Sequence, residues 1–471
     1  MATDVGHEAA GAGAGEEPVD VRNWFGDLDW EAGAVAEARN VDDIVAVVRD
    51  ADKYPSPVRA RGSGHSTTVC GVADGGTVIN MKPMSRILDI GTDTVTAEAG
   101  ALLIDVAKEL EQRGLQFYVN IELGNATIGS LACCATKDAS MPGEFGQANS
   151  YCVAMKMVTP SGEILEVDES DPGLLQAARS SYGLFGVIYE ATFKVQPLQA
   201  MAVEHASFKL DNFAKKLPEL FGRGTSMMMY IFPYLDRISV EFRKYTGPAD
   251  QAAKPASHWL WPIRNFFWKT FMPGLGAGVE RYVPPRGLRY GLVNVLNLTT
   301  AGLIFPYFAR ARHTVPTDQM IRYPDVSGGS RYTFSIWAFP EERYAETLRE
   351  YFRFAKEYYR RTGFRPNMLH VGYRIEQDDS SLFSYTYDGR VLTIDPVSTG
   401  APGWRDFLDA YNEFCSEHDG KPLLNQSWGL KPHHIRKAFG DRVEKFEEYR
   451  KRLDPNERLL NSYFRVLLQG A

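Results

Sequence analysis

The sequence predicts an α+β protein of two unlike halves, and three observations carry that prediction. The chain has 471 residues, too many for one ordinary core. Up to about residue 198, helical and strand patterns alternate. From 199 to 425 the chain turns aromatic and strand-rich, broken by the Pro/Gly/Trp-laden stretch HWLWPIRNFFWKTFMPGLGAGVERYVPPRG.

Residues 1–19 are small, Gly/Ala-rich and acidic, a composition that buries too little apolar surface to order itself and predicts a disordered tail. ARNVDDIVAVVRDA predicts a helix with Asn40 as N-cap, acids in its first turn, and Val41, Ile44, Val45 and Val48 on one face. PVRA and TVINM read as strands on either side of RGSGHS. TVTAEAG alternates as a strand, and ALLIDVAKELEQRGLQF predicts a helix stopped by Gly114. VIYEATFKV places Val187, Tyr189, Ala191, Phe193 and Val195 on one strand face. The expected organisation is a first domain over 20–198, a second over 199–425 with an aromatic insertion at 255–315, and a C-terminal segment over 426–471.

A net charge of -7 argues against a nucleic-acid backbone as the main partner, since such binding needs a basic surface. A small-molecule substrate is expected instead. Five cysteines (Cys70, Cys133, Cys134, Cys152 and Cys415) form no C-x-x-C pair, and no secretory signal is recognisable; together these predict a reducing cytoplasm. No run of 18 apolar residues lacks charge or proline, so no membrane span is expected, and no metal-ligand spacing occurs. Cys133 and Cys134 read as small packing residues.

The sharpest local signal is RGSGHS, residues 61–66. Gly62 and Gly64 let the backbone come close to a ligand and expose N–H groups that suit a pyrophosphate. A polar-capped turn accounts for the same six residues, so the loop alone leaves both readings open.

The sequel weighs between them. In order, VRARGSGHS, INMKPMSRI, TVTAEAGALLIDVAKELEQRGL, GNATIGSLACCATKDASMPGEFGQ, VAMKMVTPSGEILEV and SSYGLFGVIYEATFKVQPL resemble the FAD-binding domain of the vanillyl-alcohol oxidase and p-cresol methylhydroxylase (PCMH) superfamily, over about residues 20–198. The look is most like the aldonolactone and alditol oxidases. The resemblance implies a PCMH-type FAD-binding domain of two α/β subdomains, plus a substrate (cap) domain with an antiparallel sheet and flanking helices. It implies FAD bonded covalently through His65 to the flavin 8α-methyl carbon, with Arg61, Gly62, Ser63, Gly64 and Ser66 around it. Gly129 and Ser130 match the turn near the isoalloxazine, and Gly186, Val187 and Ile188 a strand edge along the cofactor. Asn125 stands where some relatives carry a second, cysteinyl link, so a single tether is expected. CCATKD replaces a G-T-H-G-type run, leaving Lys137 either as a charge for phosphate or as a solvated lysine.

Near the C-terminus, HVGYRIEQDDSSLFSYTYDGR, QSWGLKPHH and YRKRLDPNERLLNSY resemble the same oxidases. Their E-x-R pair falls on Gly372 and Arg374, and their H-W-G-K on Ser427, Trp428, Gly429 and Leu430, with Lys431 one place late. Strand alternation sets His370, Gly372, Arg374 and Glu376 on one face. Arg374 is expected to hold developing negative charge and His370 to take a hydroxyl proton, with Glu376 and Lys431 as further candidates.

The resemblance implies an FAD-linked oxidoreductase that takes hydride from a hydroxyl-bearing carbon to flavin N5. One alternative is C=C reduction or dehydrogenation of a bulky prenyl or sterol-like substrate; a second is a non-catalytic flavin-binding module. The acceptor is oxygen or another oxidant, and Ile128, bulkier than the residue of some oxygen-using relatives, implies slow reaction with oxygen. The 255–275 aromatics suit a greasy passage, a peripheral membrane contact, a buried core or a dimer contact. Oligomeric state is not legible.

Overall fold

Asn40 accepts the Asp43 N–H while the Asp43 carboxylate reaches back to the Asn40 N–H, so the helix Val41–Arg49 starts at a capping box, as its sequence predicts. That helix joins Ala34–Glu37 to Val58–Arg61, the outer strands of a parallel sheet centred on Thr77–Asn80. The computed structural model describes residues 19–249, 260–304, 313–324 and 332–470. The predicted tail lies outside them apart from Val19, which opens the strand Val19–Arg22. Trp259 and the outer parts of the aromatic insertion also lie outside.

A second subdomain holds an antiparallel sheet in the order Ile164–Asp168, Cys152–Val158, Val187–Pro197, Thr94–Glu98, Ile87–Ile90, with Leu115–Phe117 pairing the far end of Val187–Pro197. The helix Leu103–Gln112 stops just before Gly114, whose φ of 70° lies in the left-handed region. The short helix Ile128–Cys133 packs on this sheet.

The cap domain is an eight-stranded antiparallel sheet: His313–Thr314, Gln199–Lys209, Arg237–Pro248, Ser226–Phe232, His370–Ile375, Val391–Ile394, Trp337–Pro340 and Lys421–Pro422 in spatial order. Every residue of Ser226–Phe232 is buried, because both faces of the sheet are covered. Met227, Met229 and Ile231 face the main core, to which Tyr344, Leu348 and Tyr351 of the helix Tyr344–Thr362 belong. Met228, Tyr230 and Phe232 face the other way, toward Leu369, Ala301 and Trp268. The insertion supplies the helices Leu260–Phe266, Met272–Tyr282 and Arg286–Thr299, with π-helical turns at Phe267–Phe271 and Thr300–Ile304. No described helix is long and apolar enough to cross a membrane.

Two polar devices hold these parts together. Arg243 on the cap sheet pairs with Asp138 (2.8 Å) and Glu241 (2.7 Å), and Arg264 of the insertion lies 3.5 Å from Glu122 and 4.0 Å from Glu241. Burial alone would raise the Glu241 carboxyl, yet Arg243, His205 and Arg264 together hold it well below the usual carboxylate range. At the other end, Arg458 donates to the Val47 and Val48 carbonyls, Arg59 donates to the Leu459 carbonyl, and the Asn461 amide donates to those of Val69, Cys70 and Val72. The C-terminal segment is thereby laced onto the first subdomain.

Removing one partner of a buried charge cluster strands the others. Arg243→Met is expected to cost about 3–5 kcal/mol, because Glu241 and Asp138 lose their shared cation. Thermal unfolding of the flavin-loaded protein reads it as a midpoint several degrees lower.

Candidate functional site

Two adjoining cavities meet between the domains. The first is a cleft of about 1290 Å³, partly open to solvent, walled by residues 59–66, by Gly129, Ser130, Cys133 and Cys134 of the short helix and the residue after it, and by Gly186 and Ile188. Gly64 has a φ of 70°, a conformation that side chains resist. A Cβ on Gly62 would lie 2.4 Å from Thr127 Oγ1, so only glycine lets the turn close against the helix start. Ser63 Oγ donates to the Asn125 carbonyl (2.7 Å) and fixes the turn's far side. The His65 ring stacks on Trp24 at 4.7 Å and an angle of 26°, and the Trp24 indole donates to the Pro324 carbonyl (2.8 Å).

The structure thus brings Arg61, Gly62, Ser63, Gly64, His65, Ser66, Gly129, Ser130, Gly186 and Ile188 to one wall. Val187 is not among them: it is buried on the opposite phase of its strand and belongs to the main core. Cys133 and Cys134 border the cleft rather than only packing, their sulfurs 4.0 Å apart. Contact with Cys134 holds the Cys133 thiol below its ordinary value, while Cys134 is pushed up. A cleft with a glycine turn at one wall and apolar side chains such as Met81, Ala99 and Ile188 around it suits FAD, whose pyrophosphate needs close backbone and whose ring needs apolar surface.

The second cavity is lined largely by apolar and aromatic side chains, among them Tyr230, Trp268, Tyr323, Tyr332, Val371 and Tyr373. Leu123, Thr136, Asn425 and Gln426 border both cavities and form the junction. Beside them Lys137 Nζ donates to Asp395 Oδ2 (2.8 Å) and sits 3.6 Å over the Tyr373 ring. Both side chains are almost wholly buried. Burial pushes the Asp395 carboxyl up to about 6 against the pull of Lys137, and lowers the Lys137 ammonium. Burial also raises the carboxyl of Glu122, on the same wall.

The strand that carries the expected catalytic residues turns its other face to the cavity. His370–Ile375 is indeed a strand, but the cavity receives Val371 and Tyr373, the opposite phase. Arg374 points away: its guanidinium pairs with Glu341 (2.5 Å) and packs over the Phe221 ring. Glu376 pairs with Arg390 (2.6 Å) on that far side. His370 is fully buried beside Tyr351, and burial lowers its pKa to about 3, so it stays neutral. Lys431 lies half-exposed on Glu413 (2.7 Å), outside both cavities. Lys137 is neither solvated nor beside the glycine turn, and Asp395, 258 residues away, carried no signal in the sequence.

Two outcomes check this geometry. Arg374→Ala is expected to leave the rate of flavin reduction within about twofold of the parent, because no reacting group would be touched. His370 binds protons less readily folded than unfolded, so its contribution is intact above about pH 6.5 and is lost as pH falls toward 3. His370→Leu should therefore unfold at lower pH in an acid titration followed by circular dichroism.

Comparison with known proteins agrees with the architecture. A family model described as FAD binding domain matches residues 32–168, and one described as D-arabinono-1,4-lactone oxidase matches residues 325–467. The L-gulono-1,4-lactone dehydrogenase of Mycobacterium tuberculosis is 25% identical over 453 residues, covering 95% of this chain and 98% of that protein. The L-gulonolactone oxidase of Bos taurus is 24% identical over 476 residues, with the same coverage. Among solved structures, a solvent-stable cholesterol oxidase superposes with a TM-score of 0.70 at 17% identity, covering 96% of this chain and 97% of that one. A cholesterol oxidase from B. sterolicum gives 0.66 at 14% identity, covering 95% and 96%. These structures share the fold. With FAD as its cofactor, the chain is an FAD-linked oxidoreductase that resembles the aldonolactone oxidases and dehydrogenases in its two matched segments and along almost its whole length.

Proposed function

We propose that the enzyme oxidises a hydroxyl-bearing carbon held at the junction of the two cavities, with Asp395 as the proton acceptor and His65 as the covalent tether of the flavin. The observation that carries this reading is the buried Lys137–Asp395 pair, set where an aromatic cavity opens onto the cofactor cleft. When bound, FAD supplies a hydride acceptor. The chain's own residues do the rest. Asp395, raised by burial but ionised at neutral pH, takes the hydroxyl proton as the carbon loses hydride. Lys137, held beside it, keeps the carboxylate oriented and offsets charge that develops on the substrate oxygen. The aromatic walls hold an apolar or ring-flat body and exclude water.

A sugar lactone is the second reading for the substrate, favoured by relatives that are lactone oxidases and dehydrogenases across almost the whole chain. Five free cysteines, four of them buried, support a reducing compartment.

Acid precipitation tests the tether: yellow colour should stay with the protein pellet, and colour wholly released to the supernatant overturns it. Anaerobic bleaching with L-gulono-1,4-lactone, D-arabinono-1,4-lactone, aromatic alcohols and prenols tests the substrate class. With whichever compound bleaches the flavin, Asp395→Asn should slow reduction on the order of a hundredfold or more. In the parent the rate should fall as pH drops through about 6, where Asp395 takes up a proton. An unchanged profile in Asp395→Asn would remove Asp395 as the base.

A further inference from the structure

We propose that the insertion over residues 260–304 docks this enzyme on an anionic lipid bilayer. A helix on the surface of a globular protein turns polar residues to water and apolar residues inward. The helix Arg286–Thr299 departs from that rule: Tyr290 and Val293 are buried, yet Leu288, Leu292, Val295 and Leu298 are 40 to 61% exposed. Their spacing of four, three and three residues makes one stripe along the helix. The neighbouring helix Met272–Tyr282 repeats the pattern, with Leu275 and Tyr282 exposed in line with Phe271 just before it. Each helix thus has an inner face that packs and an outer apolar face toward solvent.

Charge selects the partner. Residues 260–304 hold five basic side chains and one acidic one, whereas the chain as a whole carries -7. Arg264 and Arg289 are paired with acids inside the fold and Arg286 lies against Gly363 on the inner side of its helix, which leaves exposed Arg281 and half-buried Lys269 to face solvent on this segment. An apolar face bordered by cations is the composition that lies in a membrane interface, where long basic side chains reach back to anionic headgroups. Trp268 belongs to this segment and also walls the aromatic cavity, stacked on Tyr230 at 5.6 Å. The docking face and the substrate cavity are therefore two sides of one layer of helix.

Vesicle flotation of the flavin-loaded protein tests the proposal. Parent protein should float with phosphatidylcholine vesicles containing phosphatidylglycerol, and less with phosphatidylcholine alone. The double variant Leu292→Ser, Val295→Ser should lose about tenfold or more of that partition. Arg281→Gln and Lys269→Gln should each weaken the anionic preference by about fivefold. Flavin absorbance and reduction by a water-soluble substrate should match the parent in all of them, which separates this outcome from any failure of the chemistry above. Absence of flotation with either vesicle, or a parent dimer that the serine variant converts to monomer, would overturn the proposal in favour of a protein contact.

Discussion

The buried charge cluster of Asp138, Glu241, Arg243, Arg264 and Glu122 is the constraint on which the geometry of the site depends. Asp138 and Glu122 come from the cofactor-binding half, Glu241 and Arg243 from the cap sheet, and Arg264 from the insertion. Charges taken out of water are tolerable only when each keeps its partners, so the cluster allows few relative positions of the three parts. Lys137 immediately precedes Asp138 in the chain. Fixing Asp138 against Arg243 therefore also fixes where the Lys137 ammonium meets Asp395.

Local chemistry was legible and register was not. The glycine turn at 61–66, the Asn40 cap and the stop at Gly114 were readable because each is decided by residues adjacent in sequence. The order of blocks revealed the fold for the same reason. The strand His370–Ile375 was also readable, but its phase was not. Its two faces are His370, Gly372, Arg374 and Val371, Tyr373, Ile375; both are covered in the fold, so polarity gave no rule for choosing between them. An arginine on the expected face then looked catalytic, although its partner Glu341 already satisfies it. Asp395 was invisible because nothing near it in sequence announces a lysine 258 residues earlier.

The aromatic cavity sets the Lys137–Asp395 pair in a largely apolar lining. In such a setting an ion pair is poorly screened, and a small displacement of either partner changes the carboxylate's proton affinity strongly. Tyr373 matters here although it has no acid–base part in the reading above. Its ring lies under the Lys137 ammonium and limits where that cation can move.

The lacing of the C-terminal segment onto the glycine turn has a consequence for biosynthesis. Thr67 is bonded to Gln426, 359 residues further on, and Arg59 to the carbonyl of Leu459, 400 residues further on. A ribosome that has made the glycine turn must still make most of the chain before Asn425 and Gln426, which line the same cleft, exist. Domains tend to fold as they emerge, yet the first domain of this enzyme cannot finish its cofactor cleft alone. A half-made chain therefore presents only part of the wall that the finished cleft has.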